Sequence, residues 1–154
     1  MTSAQQSLPL DIRTARPLWD VATVMAILNR SEDDVVGLIE EGRLPVAFNL
    51  ASSGARRRLI VLWRTSVWDF QQNGWAPDKE TAEVLKDILP STRPEMRAVE
   101  VRAALAVKQF HLRHLIEAGQ LRVDKRRVVA GAGPMSSPWV ITESVREFLT
   151  KRRL

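Results

Sequence analysis

The sequence predicts an α+β protein, mainly helical, built from two tandem copies of one unit of two helices and a short antiparallel β-hairpin. The main observation is an internal repeat: residues 38–46, LIEEGRLPV, return at residues 115–123 as LIEAGQLRV, an offset of 77. The same offset aligns further apolar pairs upstream, namely Val24 with Val101, Ala26 with Ala103 and Leu28 with Leu105. Apolar residues at helical spacing, followed by a glycine, predict two helices in each copy.

Unit one is predicted over residues 17–72 and contains two helices, two strands and a closing helix. These elements are expected, in chain order, at about 20–28, 31–41, 44–50, 59–63 and 65–72. Asp20 and Ser31 are the expected N-caps, because their side-chain oxygens can accept from the free N–H groups of a first helical turn. Gly42 is expected to end the second helix as a C′ residue.

Unit two is predicted over residues 97–154 with the same plan. Its elements are expected at about 99–106, 108–118, 121–129 and 139–141, with a closing helix around 144–148 and a glycine-rich tip at 130–137. The linker, residues 73–96, is expected to hold a helix over 79–89 capped by Asp78, which either packs the units together or forms a dimer face. Residues 1–16 are polar and predict a disordered lead.

Composition narrows the class of protein. A hydrophobic content of 45% can supply cores, and no run of about 18 apolar residues predicts a membrane span. The N-terminus lacks an apolar signal core, and the absence of cysteine excludes disulfides and thiolate metal sites. We therefore expect a cytoplasmic protein.

Charge is unevenly distributed within a net charge of +5. Residues 1–94 carry 11 basic and 12 acidic side chains, whereas residues 95–154 carry 12 basic and 6 acidic ones. A basic half beside a neutral half favours a polyanionic partner for unit two.

The arrangement of these elements resembles a known family. The run from Leu28 through Gly42-Arg43-Leu44-Pro45, followed by a hairpin and a short helix, is similar to the winged helix-turn-helix of excisionases and MerR-type regulators. Unit two resembles it through residues 105–121 and 141–149. The resemblance implies binding of double-stranded DNA, with the second helix in the major groove and the hairpin, or wing, along a neighbouring groove.

A recognition helix needs outward hydrogen-bond donors between its buried positions. In the second helix of unit two, the side chains that meet this requirement are Lys108, Gln109, His111, Arg113 and His114. Gln and Arg can read adenine and guanine bidentately. The sequence therefore predicts base contacts from this helix.

The equivalent helix of unit one departs from the pattern. Glu32, Asp33 and Asp34 occupy its first turn, where they stabilise the helix but would repel phosphates. This helix is therefore either outside the DNA interface or a docking site for a protein partner. The alternative function is accordingly a protein-interaction adaptor on the same scaffold.

Both predicted wings carry basic triplets, which are Arg56, Arg57 and Arg58 in unit one and Lys125, Arg126 and Arg127 in unit two. Phosphate contact is the functional interpretation of these triplets. Protection of an edge strand from aggregation is the structural interpretation.

No catalytic, cofactor or metal site is predicted. Residues 131–133, Gly-Ala-Gly, lack the Lys-Ser/Thr and the helix of a phosphate-binding loop. The only histidines, His111 and His114, have no carboxylates at matching spacing for a metal site. We expect a DNA-binding protein without enzymatic activity, and the oligomeric state is left open.

Overall fold

The computed structural model describes residues 8–90, 92–124 and 138–154, which form an α+β fold with small antiparallel sheets. The described residues contain eight helices: α1 Leu10–Thr14, α2 Val21–Leu28, α3 Glu32–Glu40, α4 Arg64–Asn73, α5 Thr81–Ile88, α6 Ala98–Leu105, α7 Gln109–Glu117 and α8 Thr142–Arg152. They contain five strands: β1 Leu18–Asp20, β2 Ala47–Asn49, β3 Ile60–Trp63, β4 Glu95–Arg97 and β5 Trp139–Ile141.

The internal repeat is also a repeat of backbone conformation. The bounds of β1, α2 and α3 return in β4, α6 and α7, all shifted by 77 residues. The turn between the paired helices contains a left-handed residue in each copy, Asn29 at φ 52° and Ala106 at φ 57°. Gly42 and Gly119 follow the second helices at φ 77° and 76°. Since glycine enters this region without a Cβ penalty, the repeated glycine stabilises the chain reversal.

Two of the expected caps are confirmed. Asp20 Oδ1 accepts from the backbone N–H of Thr23 at 2.8 Å, and Ser31 Oγ accepts from that of Asp34 at 3.2 Å. These bonds satisfy donors that the first turns of α2 and α3 leave free.

Each unit has its own sheet, which is three-stranded in unit one and two-stranded in unit two. In unit one the order is β1–β3–β2, with Trp19 and Ala47 both facing Leu62 of the central strand. In unit two β4 pairs with β5, and Val123 bridges to Val140 on the other side of β5. The sequence did not predict β1 or β4, because three residues are too few to show an alternating pattern.

The unit-one sheet is buried on both faces. Trp19, Ala47 and Leu62 face a core formed with α2, α3 and α4. On the opposite face, side chains from all three strands pack into a larger core shared with α5 and unit two; these are Leu18, Phe48, Val61 and Trp63. The predicted hairpin is present, but its strands are not a free wing. Only its tip protrudes, residues 53–58, which are all exposed.

The linker helix packs the units together. Val84, Leu85 and Ile88 of α5 are buried in the shared core. Asp87 accepts from the buried indole N–H of Trp63 at 2.7 Å, so α5 is also tied to β3 by a hydrogen bond. Asp78 does not cap α5, whose N-cap is Glu80 without a side-chain bond. Instead, Asp78 pairs with Arg153.

Part of the lead is helical, whereas the sequence predicted disorder over residues 1–16. Residues 10–14 form α1, held by two bonds: Arg13 Nη1 donates to Thr23 Oγ1 at 3.2 Å, and Trp19 Nε1 donates to the Thr14 carbonyl at 3.3 Å. These partners lie outside the lead, so its own polar composition did not reveal them. Residues 1–7 lie outside the described part of the chain.

The C-terminal residues add to the unit-one sheet. Arg153 bridges to Phe48, and the Leu154 N–H donates to the Ala47 carbonyl at 2.9 Å. The Arg153 side chain also donates to Thr81 Oγ1 at 3.0 Å. These contacts cover the open edge of β2 and connect α8 with the linker. Among the described helices, none has the length and apolar character needed to cross a membrane.

Candidate nucleic-acid interface

Helix α7 presents an exposed polar face to solvent. Leu112 and Leu115 are buried beneath it, while Gln109, Arg113 and His114 are exposed, as is Lys108 at the N-cap. No carboxylate or other described partner bonds to the side chains of Lys108, Gln109 or Arg113. The donors that the sequence assigned to this face are therefore available to a ligand.

An aromatic pair lies on the same face. Phe110 is 69% exposed, and its ring centroid lies 4.3 Å from that of His114 at a tilt of 45°. Phe110 is therefore a large exposed apolar side chain on the same helix as these donors. The thymine methyl group is one base-edge feature that a Phe can contact.

His111 is placed differently from its neighbours. Its ring is half-buried, and Nε2 donates to the carbonyl of Leu50 in unit one. Gln120, just after α7, makes a second bridge, because its Oε1 accepts from the Ser53 N–H at 2.9 Å. The base contact predicted for His111 stays a prediction, and this geometry gives the residue a role between the units.

These two bridges hold the tip of the unit-one hairpin alongside α7. Leu50 precedes the tip and Ser53 is its first residue, and its last residues are the basic triplet Arg56, Arg57 and Arg58. All three arginines are exposed, with no bonded partner among the described residues. The basic tip of one unit therefore neighbours the exposed helix of the other.

Helix α3 has the same backbone as α7 but is strongly acidic, whereas α7 carries one arginine and one glutamate. Its exposed side chains include five acids, which are Glu32, Asp33, Asp34, Glu40 and Glu41. Positions 36 and 37, Val and Gly, stand where α7 has Arg113 and His114. None of the five acids forms an ion pair with a described residue. A polyanion at this position would meet only repulsion, whereas at α7 it would meet donors.

The second predicted triplet, Lys125, Arg126 and Arg127, lies outside the described residues. In the part of the chain that the structure describes, no group of three or more His, Asp or Glu side chains is placed to hold a metal ion.

Sequence reasoning missed a second basic cluster. Arg13 and Arg16 of the lead, together with Arg102 of α6, line a cleft between the units that also includes Lys108. The polar composition of the lead predicts disorder and Arg102 lies on a first helix, so neither local pattern indicated this cluster.

Comparison with known proteins finds no matching family model, no matching curated relative and no matching solved structure.

Proposed function

We propose that this protein binds double-stranded DNA, with α7 in the major groove and the tip of the unit-one hairpin on the backbone. Two observations support the proposal: α7 exposes donors without described partners, and the hairpin tip of the other unit carries three exposed arginines. The tip is joined to the residue just after α7 by the Ser53–Gln120 bond. Base-reading side chains next to phosphate-binding ones are the combination that sequence-specific recognition needs.

The proposal includes the assignment of each unit as a winged helix-turn-helix, similar to those of excisionases and MerR-type regulators. It is supported by the paired helices and the left-handed turn residue of both units, and by the hairpin before the closing helix of unit one. A transcription regulator and an accessory factor in DNA excision are the roles that this class of protein would fill, in the cytoplasm at the nucleoid.

The two units are proposed to contribute unequally. Since α3 carries acids where α7 carries donors, unit one would touch DNA through its arginine-rich tip and not through its second helix. We therefore expect one compact, non-palindromic site. A pair of half-sites about 10 bp apart would be expected only if both second helices entered the major groove.

The test is fluorescence anisotropy with a 30-bp duplex over a salt series. Replacing Arg56, Arg57 and Arg58 by Ala should weaken binding to all DNA sequences alike. It should also reduce the slope of log K against log salt concentration by up to about three units, near 0.9 per phosphate contact. Arg113→Ala should instead relax sequence preference, by about 1–3 kcal/mol at one base pair. Absence of binding by the wild type at low salt would refute the proposal.

The second candidate is a protein-interaction adaptor that docks a basic partner on α3. Its supporting observation is the row of unpaired acids on that helix. However, none of the large exposed hydrophobic side chains of the described residues lies on α3. Protein interfaces usually need such anchors at their centre, so the observations favour DNA.

A further inference from the structure

A cleft of about 500 Å³ lies between the two units. Its walls come from the lead, β1 and α2 on one side and from α6 and the start of α7 on the other. The residues that matter for its chemistry are Arg13, Arg16, Trp19, Arg102, Lys108 and Gln109. A volume of this size is typical of sites that hold small molecules.

The charge of the cleft is strongly one-sided. Four cationic side chains line it, whereas Asp20 is the single carboxylate among the lining residues that the structure describes. Asp20 is already engaged, because its Oδ1 accepts from both the N–H and the hydroxyl of Thr23. No described acceptor bonds to the side chains of Arg16, Arg102 or Lys108. Like charges gathered without a counterion favour an anionic ligand.

The N-terminus of α7 adds to the positive potential of the cleft. In unit one the equivalent helix is capped by Ser31, but Lys108 stands at that position in unit two and makes no capping bond. A cation at the positive end of a helix is unfavourable, and the first N–H groups of α7 are left without a side-chain acceptor. An anion bound in the cleft would correct both defects.

A buried donor points the same way. Arg13 contributes Nη1 to Thr23, but its Nε is buried with no hydrogen-bond partner in the described structure. A buried N–H without an acceptor is unfavourable, and an anion is one group that satisfies such a donor.

We propose that the cleft between the units is a phosphate-binding site in which Arg16, Arg102 and Lys108 hold phosphoryl oxygens. Arginine suits this ligand because its planar fork matches two phosphoryl oxygens at once. The phosphate can come from two sources. One is the backbone of DNA lying over α7, which rests on the function proposed above; the other is a free phosphate ester, which does not.

Two measurements separate these sources. The first is isothermal titration with inorganic pyrophosphate in a chloride buffer without DNA, and the second is the salt-dependent anisotropy with the 30-bp duplex. The cleft variant is Arg16→Ala with Arg102→Ala. The control is Lys86→Ala with Lys151→Ala, which removes the same charge at exposed positions outside the cleft.

A free phosphate ester is indicated if pyrophosphate binds the wild type and the control but binds the cleft variant at least about tenfold more weakly. The DNA backbone is indicated if pyrophosphate fails to bind, while the salt slope for the duplex falls by about two units in the cleft variant and not in the control. If the cleft variant and the control behave alike in both measurements, the proposal is overturned. Failure of the wild type to bind the duplex would refute only the proposed DNA-binding function, because the pyrophosphate titration still tests phosphate binding in the cleft.

A third variant tests whether weaker phosphate binding results from damage to the fold. Lys108→Ser restores the residue that caps the equivalent helix of unit one and should raise the melting temperature. The same change should weaken binding of whichever phosphate source the first two measurements identify. A variant that is more stable and yet binds more weakly identifies Lys108 as a ligand-binding residue. Retention of full affinity by this variant would remove Lys108 from the site.

Discussion

At the residue scale, two glycines of the repeat should respond in opposite ways to replacement by alanine. Gly119 ends α7 at φ 76°, a conformation that side chains with a Cβ rarely adopt. Gly37 lies inside α3, and a Cβ added there would meet no atom within 4 Å. Glycine is thus required at the first position, whereas at the second it only weakens the helix.

We therefore expect Gly37→Ala to raise the free energy of unfolding by about 0.5–1 kcal/mol. Gly119→Ala should lower it by about 1–2 kcal/mol, the cost of a left-handed non-glycine residue. Urea denaturation followed by circular dichroism measures both. Equal effects of the same sign would contradict the assigned conformations.

At the scale of elements, the repeat predicted the helices better than the sheet. The caps Asp20 and Ser31 and the terminal glycines mark α2, α3 and α7 because helix ends have local chemical requirements. The two-sided burial of β3 was not predictable in the same way, since it depends on α5 and unit two covering the second face. The candidate site shows the same limit: α7 was found from its own residues, but its contact with the hairpin tip needed the fold.

The link between α5 and β3 gives a prediction at this scale. Asp87→Ala leaves the indole N–H of Trp63, a side chain that is 7% exposed, without its acceptor. Loss of a partner by a buried donor costs about 1–3 kcal/mol of stability. Lys86→Ala, at the exposed neighbouring position, should change stability by less than about 0.5 kcal/mol. Chemical denaturation gives the free energy of unfolding of the two variants. Equal values would show that this bond contributes nothing to stability.

At the scale of the whole molecule, the two units share one core. Leu18, Phe48 and Val61 of unit one pack in the same cluster as Leu105 and Leu115 of unit two. Separation of the units would expose this apolar face to water, so each unit contributes to the stability of the other.

The shared core predicts a single cooperative unfolding transition. Calorimetry should give equal calorimetric and van't Hoff enthalpies, and tryptophan fluorescence should coincide with circular dichroism. Ile88→Ala in α5 should lower the stability of the entire molecule by about 2–5 kcal/mol and keep one transition. Two separate transitions in the wild type would contradict the shared core.

We propose that α7 reads DNA and that α3 does not, and matched variants at equivalent positions of the two helices test this difference. His114 of α7 and Gly37 of α3 occupy equivalent positions. His114→Glu and Gly37→Glu therefore each add one negative charge at the same place in the repeat. The measurement is affinity for a 30-bp duplex at low salt. We predict that His114→Glu weakens binding about tenfold, a change of about 1.4 kcal/mol, while Gly37→Glu leaves it near that of the wild type. Equal losses in the two variants, or a larger loss from Gly37→Glu, would contradict the assignment of α7 as the DNA-reading helix.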